Sequence, residues 1–172
     1  RASNREGGRG RSGKSLCRAL KPPSQLPHLV VLDAPNVAMR HGNGKKFSAR
    51  GIEIAANYYI AGGHRVVGFI PQHHLDERRG PDPEEASLLQ SMVESGLLVI
   101  TPSQDYDDSY CITYCKQHNG CVLTNDLYRD HYTAVSDHKE REAARRWIKG
   151  HTISFTFVGD EFLPNPDFNF VG

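Results

Sequence analysis

Asp33, Asp107, Asp108, Asp126 and Asp130, together with Asn36, are the residues of this sequence whose types and spacing could combine in one reaction. Asp33 directly follows the apolar run Leu29 to Leu32. Asp107 and Asp108 stand just beyond a run ending at Thr101, and Asp126 follows Cys121 to Thr124, with Asp130 four residues later. If those runs are parallel strands, their carboxyl ends share the crevice where open α/β sheets bind ligands, and acids far apart in the chain meet there. Carboxylates so gathered repel one another unless positive charge lies between them. Mg²⁺ or Mn²⁺ suits that place, because both prefer oxygen ligands and Mg²⁺ keeps positions for water and phosphate oxygens. A cation held there can activate water and offset charge building on a phosphoryl group, while an uncoordinated carboxylate orients or deprotonates that water. The expected chemistry is phosphodiester hydrolysis.

Each residue also has a duller role open to it. Asp107 or Asp108 could cap a helix, Asp126 could make an Asx turn, Asp130 could pair with Arg129, and Asn36 could be a turn residue. Asp105, which also lies just beyond the third run, is the weakest of the acidic candidates. Joint placement after successive strands, rather than any single acid, favours a cation site. Arg40, Lys45, Lys46 and Arg50, with His41, follow the first run, and Arg129 and His131 follow the fourth. Arg40, Lys45, Lys46, Arg50 and Arg129 are the candidate contacts to RNA phosphates. Gly8, Gly13, Lys14 and Ser15 match a phosphate-loop pattern but lack a preceding buried strand and soon meet Pro22 and Pro23, so the match is read as chance. His73 and His74 lack a defined ligand geometry and are read as surface residues.

The elements that must position these groups can be read from periodicity. Strands are expected at Leu29 to Leu32, Arg65 to Ile70, Leu97 to Thr101 and Cys121 to Thr124, with a final one at Ser154 to Val158. Helices are expected after Ser48 as N-cap, from Pro83 to near Gly96, from Asp107 to His118, and from Asp137 to Lys149. Alternation of these elements predicts an α/β class: a doubly wound, mainly parallel central sheet with helices on both faces.

Length and composition set the frame. The chain has 172 residues, 38% of them hydrophobic and 24% charged, which fits one core domain with tails. The net charge of +1 hides an uneven distribution, since residues 1–27 carry seven basic residues and one acid. That Gly- and Ser-rich segment reads as a flexible basic arm, followed by a domain over 28–164 and a loose tail over 165–172. Cys17, Cys111, Cys115 and Cys121 lack a convincing disulfide or zinc spacing, so reduced, core-packing thiols are expected and no zinc. No apolar run approaches membrane-spanning length. With no secretory leader in these residues, the expected compartment is intracellular, chiefly cytoplasmic, the nucleus and organelles staying open.

The segments LDAPNVAMRHGNGKKFSARGI, YDDSY and TNDLYRDH resemble those of the Regnase-like, or MCPIP-like, ribonucleases of the NYN/PIN superfamily, over about His28 to Pro164. The resemblance implies a doubly wound domain whose acids bind Mg²⁺ and cleave RNA, often in messenger RNA turnover. By motif, Asp33, Asn36, Asp107, Asp108, Asp126 and Asp130 take the catalytic places and Arg50 a basic one. Asp33, Asp108 and Asp126 are the expected metal ligands, with Asp107 and Asp130 as outer or water-positioning groups.

Three departures stand out. DAPN replaces the more usual DGSN, so Pro35 is expected to restrict a turn beside Asp33. The Thr101 to Asp107 segment is short, and no CCCH zinc finger lies within these residues. The expected partner is single-stranded or loop RNA, with a second copy or a zinc-finger RNA-binding partner left open. The alternatives are an inactive RNA-binding or scaffold module of the same fold, a protein-only RNase P-like nuclease and, more remotely, a receiver-like phosphorylation domain.

Overall fold

The computed structural model describes residues 27–76, 82–102 and 107–170, the side chains of Asp107 and Asp108 excepted. The basic arm (apart from Pro27), the phosphate-loop match, Cys17 and Asp105 lie outside the described residues.

The four expected internal strands form as β1 (Leu29–Asp33), β2 (Arg65–Pro71), β3 (Leu98–Thr101) and β4 (Cys121–Leu123). With β5 (Thr152–Ile153) they build a five-stranded sheet in the order β3-β2-β1-β4-β5, every pairing parallel. β1 is buried along its whole length, as a central parallel strand covered on both faces must be. Its side chains alternate between two apolar layers. Val30 and Leu32 pack with Ala34, Val37, Ile52, Ala55 and Leu89, whereas Leu29 and Val31 pack with Cys111, Ile112, Cys115 and Ile148.

The first layer is made by α1 (Ala34–His41), α2 (Ala49–Ala61) and α3 (Pro83–Glu94), and the second by α4 (Asp107–His118) and α6 (His138–His151). A short α5 (Asp130–Thr133) precedes α6. Helix starts follow capping chemistry: Asp82 accepts from the Glu84 N–H at 3.3 Å and Asp137 from the Glu140 N–H at 2.9 Å. Gly51 lets α2 close on α1, since a Cβ there would lie 2.4 Å from the His41 Cβ.

Four local readings need correction. α1 starts immediately after Asp33, so Pro35 lies in the first turn of a helix rather than in a separate turn. A missing N–H costs no helical bond there, and the proline ring presets the helical φ. Ser48 occupies the N-cap position of α2, but its hydroxyl bonds the His41 Nδ1 at 2.7 Å, and the Glu85 carboxylate accepts the Ala49 N–H instead. The expected last strand leaves the main sheet, because β6 (Phe155–Val158) pairs antiparallel with β7 (Glu161–Pro164) as a hairpin. Residues read as a loose tail include Phe168 and Phe170, which pack on the first layer, Phe170 stacking on His28 at 4.5 Å.

Cys111, Cys115 and Cys121 are buried in the two apolar layers. Burial pushes the Cys115 thiol well up and that of Cys121 to about 11, which makes both poor nucleophiles. Among the described residues, no helix is long and apolar enough to cross a membrane.

Candidate active site

From β1 the chain moves outward to β2 and β3 on one side, then returns through α4 to β4 on the other. The strand order therefore reverses between β1 and β4, and at such a point their carboxyl ends open a crevice. Asp33 ends β1 and Thr124 follows β4, so this crevice lies between the first and last acidic blocks of the sequence.

Asp33 is only 9% exposed and caps α1, its Oδ1 accepting the Asn36 N–H at 3.4 Å. Two hydroxyls donate to its Oδ2: Thr124 at 2.8 Å and Tyr128 at 3.2 Å. The Thr124 oxygen in turn accepts the Asp126 N–H at 3.0 Å, and the Asp126 Oδ1 accepts the Tyr128 N–H at 2.8 Å. Asn36 joins the same site by accepting the Asn125 N–H on its Oδ1 at 2.9 Å, a bond across 89 residues of chain. Asn125 fastens the loop from below: its Nδ2 donates to the Phe155 carbonyl and its Oδ1 accepts the Phe155 N–H, both at 2.9 Å. An open cleft of about 320 Å³ is lined by Asn125 to Asp130.

The structure thus brings Asp33, Asn36 and Asp126 into one hydrogen-bonded network and places Asp130 on the cleft wall. Asp107 and Asp108 open α4, which follows β3 and runs back to the start of β4, so their backbone stands at the carboxyl edge. Among the described residues no three His, Cys, Asp or Glu side chains form a metal-binding cluster. The side-chain groups joined around Asp33 and Asp126 are all oxygens, from two carboxylates and two hydroxyls, and that chemistry suits a hard divalent cation rather than zinc.

The basic candidates divide into two groups. Arg40, Lys45, Lys46 and Arg129 are exposed and form no ion pair among the described residues. Arg50 is committed elsewhere: its Nε and Nη2 donate to the Asp160 Oδ2 at 3.0 and 2.8 Å, and the other Asp160 oxygen meets the His41 Nε2 at 2.9 Å. The Arg50 and His41 contacts hold the Asp160 carboxyl below the usual carboxylate range. His73 is exposed as expected, but His74 is half-buried and stacks on Phe47 at 4.9 Å, so it is not a solvated surface residue.

Thr124, Asn125, Tyr128 and Asp160 were not singled out by sequence. Thr124 and Asn125 stand in the same TND block as Asp126, and their position between strand end and acid was the available signal.

Residues 27–170 match the Zc3h12a-like ribonuclease NYN domain. The chain belongs to that family. As a ribonuclease NYN domain it also has solved structural relatives: two structures of nuclear protein-only RNase P 2 from Arabidopsis thaliana. One superposes with a TM-score of 0.60 at 18% identity over 83% of this chain and 30% of that one. The other has a TM-score of 0.58 at 19% identity over 86% of this chain and 32% of that one. The NYN domain thus spans about a third of those chains, and at such identity the likeness establishes a shared fold.

Proposed function

We propose that this NYN domain is an endoribonuclease that hydrolyses internal phosphodiester bonds of single-stranded or loop RNA, with Mg²⁺ or Mn²⁺ held by Asp33, Asp108 and Asp126. The observation that carries the proposal is the bonding of the buried Asp33 to the Asp126 loop through one Thr124 hydroxyl at the switch point. When bound, the cation supplies Lewis acidity toward water and the scissile phosphate.

The chain's own groups do the rest. Asp33 and Asp126 are held by fixed donors, so little reorganisation is needed to present carboxylate oxygens. Asp130, on the cleft wall, orients the attacking water and takes its proton. Asp107 is assigned as a further outer group by its place in the sequence. Arg129 beside the cleft and Arg40, Lys45 and Lys46 on the exposed surface hold flanking phosphates. Attack by water on phosphorus breaks the bond to the 3′ oxygen, leaving a 5′-phosphate and a 3′-hydroxyl. Such a reaction fits an intracellular role in RNA turnover or processing.

The test is cleavage of an end-labelled single-stranded RNA with Mn²⁺ or Mg²⁺, alongside a precursor tRNA. Metal-dependent internal cuts should disappear with EDTA and in Asp33→Asn. Undiminished cleavage by that variant would sink the proposal. Binding of RNA with no cleavage under any metal would instead make the domain an RNA-binding module.

A further inference from the structure

Tyr128 touches both carboxylates of the described network. Its hydroxyl donates to the Asp33 Oδ2 at 3.2 Å and its backbone N–H donates to the Asp126 Oδ1 at 2.8 Å. The side chain is 1% exposed and packs with Leu29, Val31, Cys111 and Val122 in the second layer. Its backbone has φ +48, a left-handed conformation uncommon for a bulky residue. Such a conformation persists where surrounding contacts over-determine it, and here the buried ring and the bonded N–H supply those contacts.

We infer that Tyr128 is a positioning residue that sets the gap between the Asp33 and Asp126 carboxylates and thereby the affinity of this site for a divalent cation. The inference rests on the cation reading proposed above. Thr124 and Tyr128 together place two O–H donors on one Asp33 oxygen, which fixes the rotation of that carboxylate. Thr124 reaches Asp126 only through the backbone N–H of Asp126, whereas Tyr128 holds the Asp126 carboxylate itself. The Tyr128 main chain and hydroxyl are therefore the two ends of a spacer between the carboxylates. Partners of metal ligands that act in this way typically change metal affinity by about 10–100-fold when removed.

Tyr128→Phe removes the hydroxyl and keeps the ring. Calorimetric titration of the domain with Mn²⁺, without RNA, is expected to show affinity at least about tenfold weaker than wild type. The Mn²⁺ concentration for half-maximal cleavage should rise by the same factor, with most of the rate recovered at saturating Mn²⁺. A merely structural defect would instead lower the rate at every Mn²⁺ concentration, and that result would overturn the inference. So would a Tyr128→Phe titration matching wild type. Thermal unfolding without metal checks the fold; if the variant melts near the assay temperature, titration in the cold gives the same comparison. A wild-type domain that takes up no Mn²⁺ would overturn the cation reading itself, independently of Tyr128.

Discussion

The Thr124 hydroxyl donates to the Asp33 carboxylate at 2.8 Å across 91 residues of chain, while its oxygen accepts the Asp126 N–H at 3.0 Å. Both groups are buried, Asp33 at 9% and Thr124 at 2% exposure. Thr124→Val leaves the carboxylate without a donor that Thr124→Ser retains. Hydrogen bonds to charged groups contribute about 1.5–3 kcal/mol, so the valine variant should lose about 2 kcal/mol of stability, with cleavage reduced roughly tenfold or more. Denaturant unfolding and kcat/KM measure the two effects, and serine should restore most of both.

Asn125 exchanges two hydrogen bonds of 2.9 Å with the Phe155 backbone and so ties the Asp126 loop to β6. At about 1 kcal/mol for each neutral bond, Asn125→Ala should destabilise the domain by about 2 kcal/mol. Asn125→Asp keeps an acceptor for the Phe155 N–H but sets a carboxylate oxygen against the Phe155 carbonyl and adds charge beside Asp126, and should destabilise at least as much as alanine. Urea unfolding of the three proteins provides the ranking.

Burial, with His73 alongside, pushes the His74 pKa from 6.5 down to about 4. The unfolded chain accepts a proton near 6.5 that the folded ring refuses until about 4. The contribution to stability is therefore full above 6.5 and is lost progressively as the pH falls from there toward 4. His74→Phe preserves a ring to stack on Phe47 and removes this titration. Its stability should drop less between pH 7 and pH 5 than that of wild type in parallel denaturant curves.

Arg50 is paired with Asp160 in the folded domain, whereas Lys45 and Lys46 are exposed with no ion pair among the described residues. Lys45→Ala and Lys46→Ala should weaken RNA binding across sequences, each lowering the slope of log affinity against log salt by about 0.7 where one phosphate contact is lost. Arg50→Ala should change the slope less, because its guanidinium is already held by a carboxylate. Asp160→Asn should release Arg50 and strengthen binding at low salt. Fluorescence anisotropy over a salt series tests all four variants.

The sequence by itself determined the layers and the position of the acids along the chain. The apolar runs of β1, β2 and β4 declare buried strands, Pro83 with Glu84 and Glu85 marks the start of α3, and Asp33 and Asp126 stand where a strand ends. These features are local, set by side-chain period, capping chemistry and apolar content within a few residues. α1 was not legible, because the Pro-Asn pair after Asp33 serves a turn as well as a first helical turn. The separation of β6 from the main sheet was hidden too, since its pattern matches that of a sheet strand and only its pairing with β7 differs.

What only the tertiary structure decided is which groups meet. Thr124 and Tyr128 reach Asp33 across 91 and 95 residues, and Asp160 takes Arg50 from across 110. The first two depend on the strand order β3-β2-β1-β4-β5, and the third on the packing of the β6-β7 hairpin against α1 and α2, neither of which any short segment of sequence encodes.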